Sequence, residues 1–182
     1  MKKIIVAFSV FCVLAVGTCF ASSDIQVTFG LNAHSFPAEN EMNFSVNAHQ
    51  FFGETQTFGI AEGFIGESHG AHLFLGPAFG FNLIETLRLQ ISTGLKWGIS
   101  DYNGGGKENP GCFGDSKNLL WGNDIQCKMT ANRLFSFLIG IQLSTGVVII
   151  NKPADETVSK NAWYFDITPY VGLSINFRDK VE

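Results

Sequence analysis

Histidine is the residue type in this sequence most able to bind a metal ion or to act as a base near neutral pH. The chain has four histidines, His34, His49, His69 and His72. His69 and His72 are close enough in sequence to offer two imidazole ligands to one ion. Their spacing matches no established metal site, and neither a cysteine nor an acidic cluster accompanies them. We therefore predict no metal site and no cofactor.

Serine next to histidine could instead indicate hydrolysis, which requires a serine hydroxyl activated by a histidine that an acid orients. Two such neighbours occur, His34-Ser35 and Ser68-His69, but both fall in predicted loops rather than on adjacent strands. Ser92 and Ser136 are expected to face the interior of the fold with no histidine beside them. We therefore predict no catalytic residue and no enzymatic activity.

The composition limits the kind of fold that could position any of these residues. The chain has 182 residues, which suits one domain. Hydrophobic residues make up 46% and charged residues only 15%, which excludes disorder. A formal charge of −4 and an isoelectric point near 5.5 argue against a nucleic-acid partner, which would favour a basic protein. A chain this apolar should span a membrane or bury a large core.

The first 21 residues are typical of a secretory signal peptide. Two lysines precede an apolar run over residues 4–16, and Cys19-Phe20-Ala21 places small residues where a signal peptidase cleaves. We predict cleavage after Ala21 and a single domain over residues 22–182. The alternatives are a membrane anchor, for which the run is short of the ~20 residues of a spanning helix, and lipid modification at Cys19.

After the signal segment, apolar and polar residues alternate with a period of two, which is the pattern of β-strands with one apolar face. The clearest run extends from Leu87 to Ile99. Eight strands are predicted, at about residues 24–32, 42–50, 56–66, 70–82, 86–100, 118–130, 133–149 and 162–177. The sixth has the weakest pattern, because Asn123 falls among its apolar residues.

The predicted connections also alternate, with long loops at one end of the sheet and tight turns at the other. The long loops lie near residues 34–41, 101–117 and 151–161. This arrangement, with strands of the 9–11 residues that a tilted span requires, indicates an all-β fold. We predict an eight-stranded antiparallel up-and-down transmembrane β-barrel. A soluble, lipocalin-like ligand-binding barrel would show the same period and remains the alternative.

The last predicted strand contains a more specific signal. Tyr170, Gly172, Ile175 and Phe177 resemble the C-terminal insertion signal of outer-membrane barrels, in the spacing between the glycine and the terminal phenylalanine. The match departs from the pattern in having Ile175 where an aromatic residue is common, and in the tail of residues 178–182. With its length and strand number, the chain resembles the small eight-stranded bacterial outer-membrane barrels of the OmpX, OmpW and OmpA-membrane-domain type.

The resemblance implies where the protein lies and what it contacts. It implies export to the bacterial outer membrane, contact with outer-membrane lipid, and insertion by the outer-membrane insertion machinery through the C-terminal strand. Lipid A deacylases and palmitoyl transferases are similar in size, but their chemistry needs the activated serine discussed above. We expect a structural or surface-interaction role through the long loops, with an unidentified extracellular partner. The alternative is a narrow, OmpW-like channel for small or apolar solutes.

The inward face of the predicted barrel carries charges of both signs. The charged residues expected there are Arg88, Lys96, Asp124, Lys128 and Asp166. An eight-stranded barrel is only just wide enough for its own side chains, and buried charges must pair. We therefore predict a charge network that fills the lumen, with a narrow solute path as the alternative.

Four features conflict with a regular wall or leave a question open. Pro77 and Pro169 lack the N–H that a closed barrel uses, so each predicts a bulge or a rim position. Glu62 falls on the apolar face of its strand and is expected at the rim or beside a bulge. A disulfide between Cys112 and Cys127 would require the sixth strand to begin later than drawn.

Overall fold

Eight antiparallel β-strands, joined in chain order, close into a barrel. The computed structural model describes residues 22–34, 40–53, 55–67, 70–100, 116–150 and 161–177. The strands are β1 Ser22–His34, β2 Asn40–Phe52, β3 Phe58–Glu67, β4 Gly70–Ile84, β5 Leu87–Ser100, β6 Ser116–Thr130, β7 Phe135–Ile150 and β8 Asn161–Phe177. Closure comes from antiparallel pairing of β8 with β1. The predicted fold class is therefore confirmed.

Several predicted features lie outside the described residues. They are the signal peptide over residues 1–21, the loops around residues 35–39, 101–115 and 151–160, Cys112 and His69. Among the residues that are described, no helix is long and apolar enough to cross a membrane.

The sixth strand, which has the weakest sequence pattern, is a regular element of 15 residues. It pairs without interruption with β5 on one side and β7 on the other. Asn123 keeps its place in this register, directly opposite Thr93 and Leu143. Cys127 is a free cysteine on the outer face of the strand.

The period of two divides the side chains between the lumen and the outer wall. On β5, Leu95 and Trp97 point outward and are 54% and 55% exposed, whereas Gln90, Ser92 and Lys96 point inward and are 2% exposed. The same sorting holds for most residues around the barrel, where apolar side chains face outward and polar side chains face inward. This is the reverse of a soluble ligand-binding barrel, and it matches a wall surrounded by lipid hydrocarbon.

The two ends of the barrel differ in their connections. The turn end contains the described connections between β2 and β3, β4 and β5, and β6 and β7. The last of these is shaped by Asn132, whose side-chain oxygen accepts the N–H groups of Leu134 and Phe135 at 2.9 and 2.8 Å. The loop end carries the other four connections, including those of residues 101–115 and 151–160.

The two prolines lie within regular strands, so the prediction of a bulge or a rim position is wrong. Pro77 is in register with Ile60 of β3, and Pro169 with Ile141 of β7. On its other side each proline interrupts the ladder without shifting it. The pairing of β4 with β5 skips residues 76–77, and that of β8 with β1 skips residues 168–169. The missing N–H of each proline thus removes strand pairing locally but leaves the register unchanged.

Glu62 also departs from expectation, because it lies in the middle of β3 and in regular register. It is opposite Ala48 of β2 and Leu75 of β4. The carboxylate is only partly exposed and accepts a hydrogen bond from Gln50 Nε2 at 3.4 Å. Glu62 is therefore not at the rim. The hydrogen bond from Gln50 partly compensates its charge on the outer wall.

Glycines on the inward face make room for large side chains on the adjacent strand. A Cβ at Gly140 would lie 2.5 Å from the Tyr170 hydroxyl, and a Cβ at Gly98 would lie 2.8 Å from Cγ of His72. Each glycine is directly opposite the large residue in the ladder. At these two positions the narrow lumen accommodates a ring on one strand because the next strand has no side chain there.

We predict that Gly140→Ala destabilises the barrel by about 1–3 kcal/mol, the usual cost of overpacking. The added methyl would collide with the Tyr170 ring and come within 2.8 Å of the Ile125 backbone oxygen. Urea unfolding of the refolded protein in micelles, followed by tryptophan fluorescence, measures the change. Gly66→Ala is the matched control, because its Cβ would have ordinary contacts at 3.5 Å or more. Equal midpoints for the two variants would contradict this account of the glycines.

Candidate functional site

The loop-end half of the lumen is organised around Lys96. Its ammonium donates to Asp166 Oδ2 at 3.1 Å, to Ser144 Oγ at 3.3 Å and to Glu67 Oε1 at 3.4 Å. Asn32 donates to the same Glu67 oxygen at 3.2 Å. The Lys96, Asp166 and Glu67 side chains are at most 3% exposed. One buried cation thus links β1, β3, β5, β7 and β8, and its charge is compensated by two carboxylates.

A second hydrogen-bonded group extends this network towards β6. His72 Nδ1 lies 3.6 Å from Glu67 Oε1, and His72 Nε2 is 2.7 Å from the amide nitrogen of Asn118. Asn118 also exchanges hydrogen bonds with Ser100. His72 therefore belongs to the filled lumen.

The turn-end half of the lumen is organised around a carboxylate, Asp24 of β1. It forms an ion pair with Lys128, and its other oxygen lies 3.4 Å from His49 Nδ1. Gln26 and Gln90 donate to it at 3.0 and 3.5 Å. These partners come from β1, β2, β5 and β6, so this group also links strands on opposite sides of the barrel.

Two further side chains, Tyr170 and Arg88, complete the turn-end half. The Tyr170 hydroxyl lies 2.6 Å from Asp124 Oδ1 and 2.9 Å from Gln126 Oε1. Arg88 donates to the backbone oxygen of Gln56 and, at 3.3 Å, to its side chain. The guanidinium also lies over the Phe51 ring, 4.3 Å from its centre, which is a favourable cation–π distance.

The structure places all five predicted lumen charges inside the barrel. Only one pair of them is in direct contact. Lys96 and Asp166 meet directly. Lys128 instead forms an ion pair with Asp24. Asp124 is hydrogen-bonded to Tyr170, and Arg88 is hydrogen-bonded to Gln56 in the turn between β2 and β3. Tyr170 and Gly172 of the predicted insertion signal face the lumen, whereas Ile175 and Phe177 are exposed on the outer wall. Its recognition by other proteins stays a prediction.

Sequence reasoning missed two charged members of these networks and one apolar cluster. Asp24 lies at the start of the first predicted strand and shares the inward phase of Gln26, so it could have been counted among the lumen charges. Glu67 was missed because the third strand was predicted to end at residue 66, whereas β3 extends to Glu67. A small inward cluster was also missed, in which Phe74 packs against Phe51, Ala61 and Ala78. Phe51 and Phe74 thus face inward, and nothing along a single strand distinguishes them from the phenylalanines of the outer wall.

Between the two networks lies a small cavity that brings together His49, Ser92 and Asp124. This differs from the expectation that no histidine lies near Ser92. The space available to water centres is about 20 Å³, enough for one or two water molecules. Among the described residues, no hydrogen bond joins Ser92 to His49. The same residues include no group of three or more His, Cys, Asp or Glu able to hold a metal ion. The cavity has room for water but not for an acyl substrate.

Comparison with known proteins identifies the architecture. No protein-family model and no curated protein matches the sequence. Among solved structures, the N-terminal β-barrel domain of Pseudomonas aeruginosa OprF matches with a TM-score of 0.60 at 14% identity, over 87% of this chain and 98% of that one. Neisserial surface protein A matches with a TM-score of 0.58 at 11% identity, over 86% and 96%. The outer membrane protein AlkL matches with a TM-score of 0.54 at 8% identity, over 91% and 95%.

At these identities the matches establish the fold alone. The chain has the architecture of the small eight-stranded outer-membrane barrels, and the resemblance inferred from the sequence is confirmed at that level.

We predict that Lys96→Met destabilises the barrel by about 3–5 kcal/mol, because it leaves two carboxylates buried without their cation. The loss should be smaller when Asp166→Asn is combined with it, since one of those charges is then absent. Lys117→Met is the matched control, because Lys117 is exposed on the outer face of β6. Urea unfolding of the unaltered protein and the three variants in micelles measures these differences. A loss no greater for Lys96→Met than for Lys117→Met would refute the assigned role.

Proposed function

We propose that this chain is an integral outer-membrane barrel protein with a structural or surface-interaction role and no enzymatic activity. The observation that carries the proposal is the combination of an apolar outer wall with a lumen filled by two hydrogen-bonded networks. Such a body is stable in lipid, and it offers partners the connections at its loop end. The long loops near residues 34–41, 101–117 and 151–161 would then carry the interaction with an extracellular partner.

The packing of the lumen supports a structural role over that of a channel. Lys96 and Asp24 each bind side chains from several strands, and Arg88 lies across the turn end against Phe51. The cavity between them accommodates water only. A solute would have to displace buried ion pairs in both halves of the barrel, which is costly. The OmpW-like channel is therefore the second candidate.

The partners proposed for the wall and the last strand follow from the same geometry. The exposed apolar residues would contact outer-membrane lipid, and β8 would be read by the insertion machinery through Tyr170, Gly172, Ile175 and Phe177. Export would depend on cleavage of residues 1–21. A soluble periplasmic barrel would need its apolar face inside, and the observed sorting of side chains argues against it.

We expect the protein to occur in the outer-membrane fraction and to migrate faster in gels when it is not heated, because a closed barrel resists unfolding by detergent. An epitope inserted between Gly105 and Gly106 should be accessible to antibody on intact cells. Gel electrophoresis of heated and unheated fractions tests the first expectation. A protein that stays soluble without detergent and shows no mobility shift would exclude the membrane assignment.

We expect planar lipid bilayers containing the purified barrel to show no single-channel steps, because both halves of the lumen are filled. The matched variant is Lys96→Ser with Asp166→Ser, which removes the central ion pair of the loop-end network and should admit small ions if that network is the barrier. Regular conductance steps from the unaltered protein would favour the channel and count against a purely structural role.

A further inference from the structure

Three polar side chains form a hydrogen-bonded chain on the outer wall of β5 and β6. Trp121 Nε1 donates to Thr93 Oγ1 at 2.9 Å, and the Thr93 hydroxyl donates to Asn123 Oδ1 at 2.7 Å. Thr93 and Asn123 are directly opposite each other in the ladder. The chain ends at the Asn123 amide, whose nitrogen donates no hydrogen bond to any described residue. One primary amide thus points out of the wall with its donors unused.

This amide lies at the depth where no lipid headgroup or water can satisfy it. On the outward face of β5, Thr93 is the central residue, with Leu87, Leu89 and Ile91 on one side and Leu95, Trp97 and Ile99 on the other. Six residues span ~20 Å of strand, or about 14 Å of depth at a 45° tilt. Acyl chains cannot accept a hydrogen bond, so an amide left unpaired here is unfavourable. At this depth only another protein group could accept the hydrogen bonds of the amide.

The surroundings of the amide have the features of a contact surface. Leu95, Trp121 and Ile125 flank it and are 54%, 48% and 41% exposed. We refer to Thr93, Leu95, Trp121, Asn123 and Ile125 as the β5–β6 patch. A central polar group with an aromatic anchor and aliphatic neighbours is typical of association sites.

The wall is also locally weak beside this patch. The pairing of β4 with β5 is interrupted at Gly76 and Pro77, opposite Thr93 and Gly94. A body packed over the patch would cover this interruption. The weak pairing and the unused amide are independent observations on the same part of the wall.

We propose that the β5–β6 patch is the interface through which two copies of this chain associate side by side in the membrane. A two-fold interface requires a surface that is complementary to itself. A primary amide satisfies this requirement, because each copy can donate through Nδ2 to the Oδ1 of the other. The patch carries no charge, so it offers nothing specific to a charged partner.

A second outward polar pair among the described residues, Gln50 and Glu62, does not have this property. Glu62 already accepts a hydrogen bond from Gln50 within the same chain. Two copies meeting there would bring carboxylates together in a medium of low dielectric constant, which is strongly repulsive. The contrast assigns self-association to β5–β6 rather than to β2–β3.

The proposal is tested by sedimentation equilibrium of the full-length mature barrel in density-matched micelles. The unaltered protein should show a monomer–dimer equilibrium. Asn123→Leu should raise the dimer dissociation constant by about ten- to a hundredfold, as expected for loss of two hydrogen bonds in an apolar medium. Asn123→Gln, which keeps the amide, should preserve most of the association. Leu173→Val, on the exposed wall of β8, is the control that should change nothing.

The inference rests on the proposed membrane location, and the two can fail separately. Heat-modifiable mobility shows for each variant that the barrel is folded, so its absence in the unaltered protein would count against the membrane assignment itself. A folded protein that stays monomeric at all detergent dilutions would overturn the proposed dimer. An unchanged dissociation constant for Asn123→Leu would overturn it equally, because association would then use another surface.

Discussion

The hydrogen-bonded ladder that closes between β1 and β8 is the constraint on which the rest of the structure depends. In lipid, each backbone N–H and C=O must find a partner within the protein, and only a closed sheet provides one for both edges. Closure with eight strands fixes a narrow lumen. From that single condition follow the apolar outer wall, the polar interior, and the pairing of inward glycines with rings such as Tyr170 and His72.

A narrow lumen also determines how its charges are arranged. Lys96 and Asp24 act as opposite centres, one a cation surrounded by acceptors and the other a carboxylate surrounded by donors. Each collects partners from several strands, so the two networks connect the wall across the lumen as well as around it. These buried groups depend on one another for their hydrogen bonds and ion pairs, so they specify one arrangement of the interior. Loss of one member would destabilise the barrel.

The period-two pattern was sufficient to predict the strands and the faces of most residues, since orientation depends only on position along one strand. It could not predict partners. Asp24 and Lys128 are 104 residues apart and meet only because closure and stagger bring β1 and β6 to the same level. The hydrogen-bond partners of Glu62 and Asn123 could not be predicted for the same reason. Whether a polar residue is tolerated on the wall depends on Gln50 or Thr93 across the ladder. Pro77 showed that a missing N–H can be absorbed as a local gap, which the sequence does not distinguish from a bulge.

The filled lumen constrains where this protein can act. In the proposed structural role, a partner that binds at the loop end would have no solute path through which to act, and displacing the networks would expose buried charges. In that role, partners would bind at the loops or on the outer wall, because binding there leaves the networks of the described lumen intact. Polar groups on the wall are therefore informative, because lipid alone gives no reason to retain an amide at the depth of Asn123. A wall that associates side by side and loops that face outward would let neighbouring copies present their loops together, which increases the effective concentration of the loops at the cell surface.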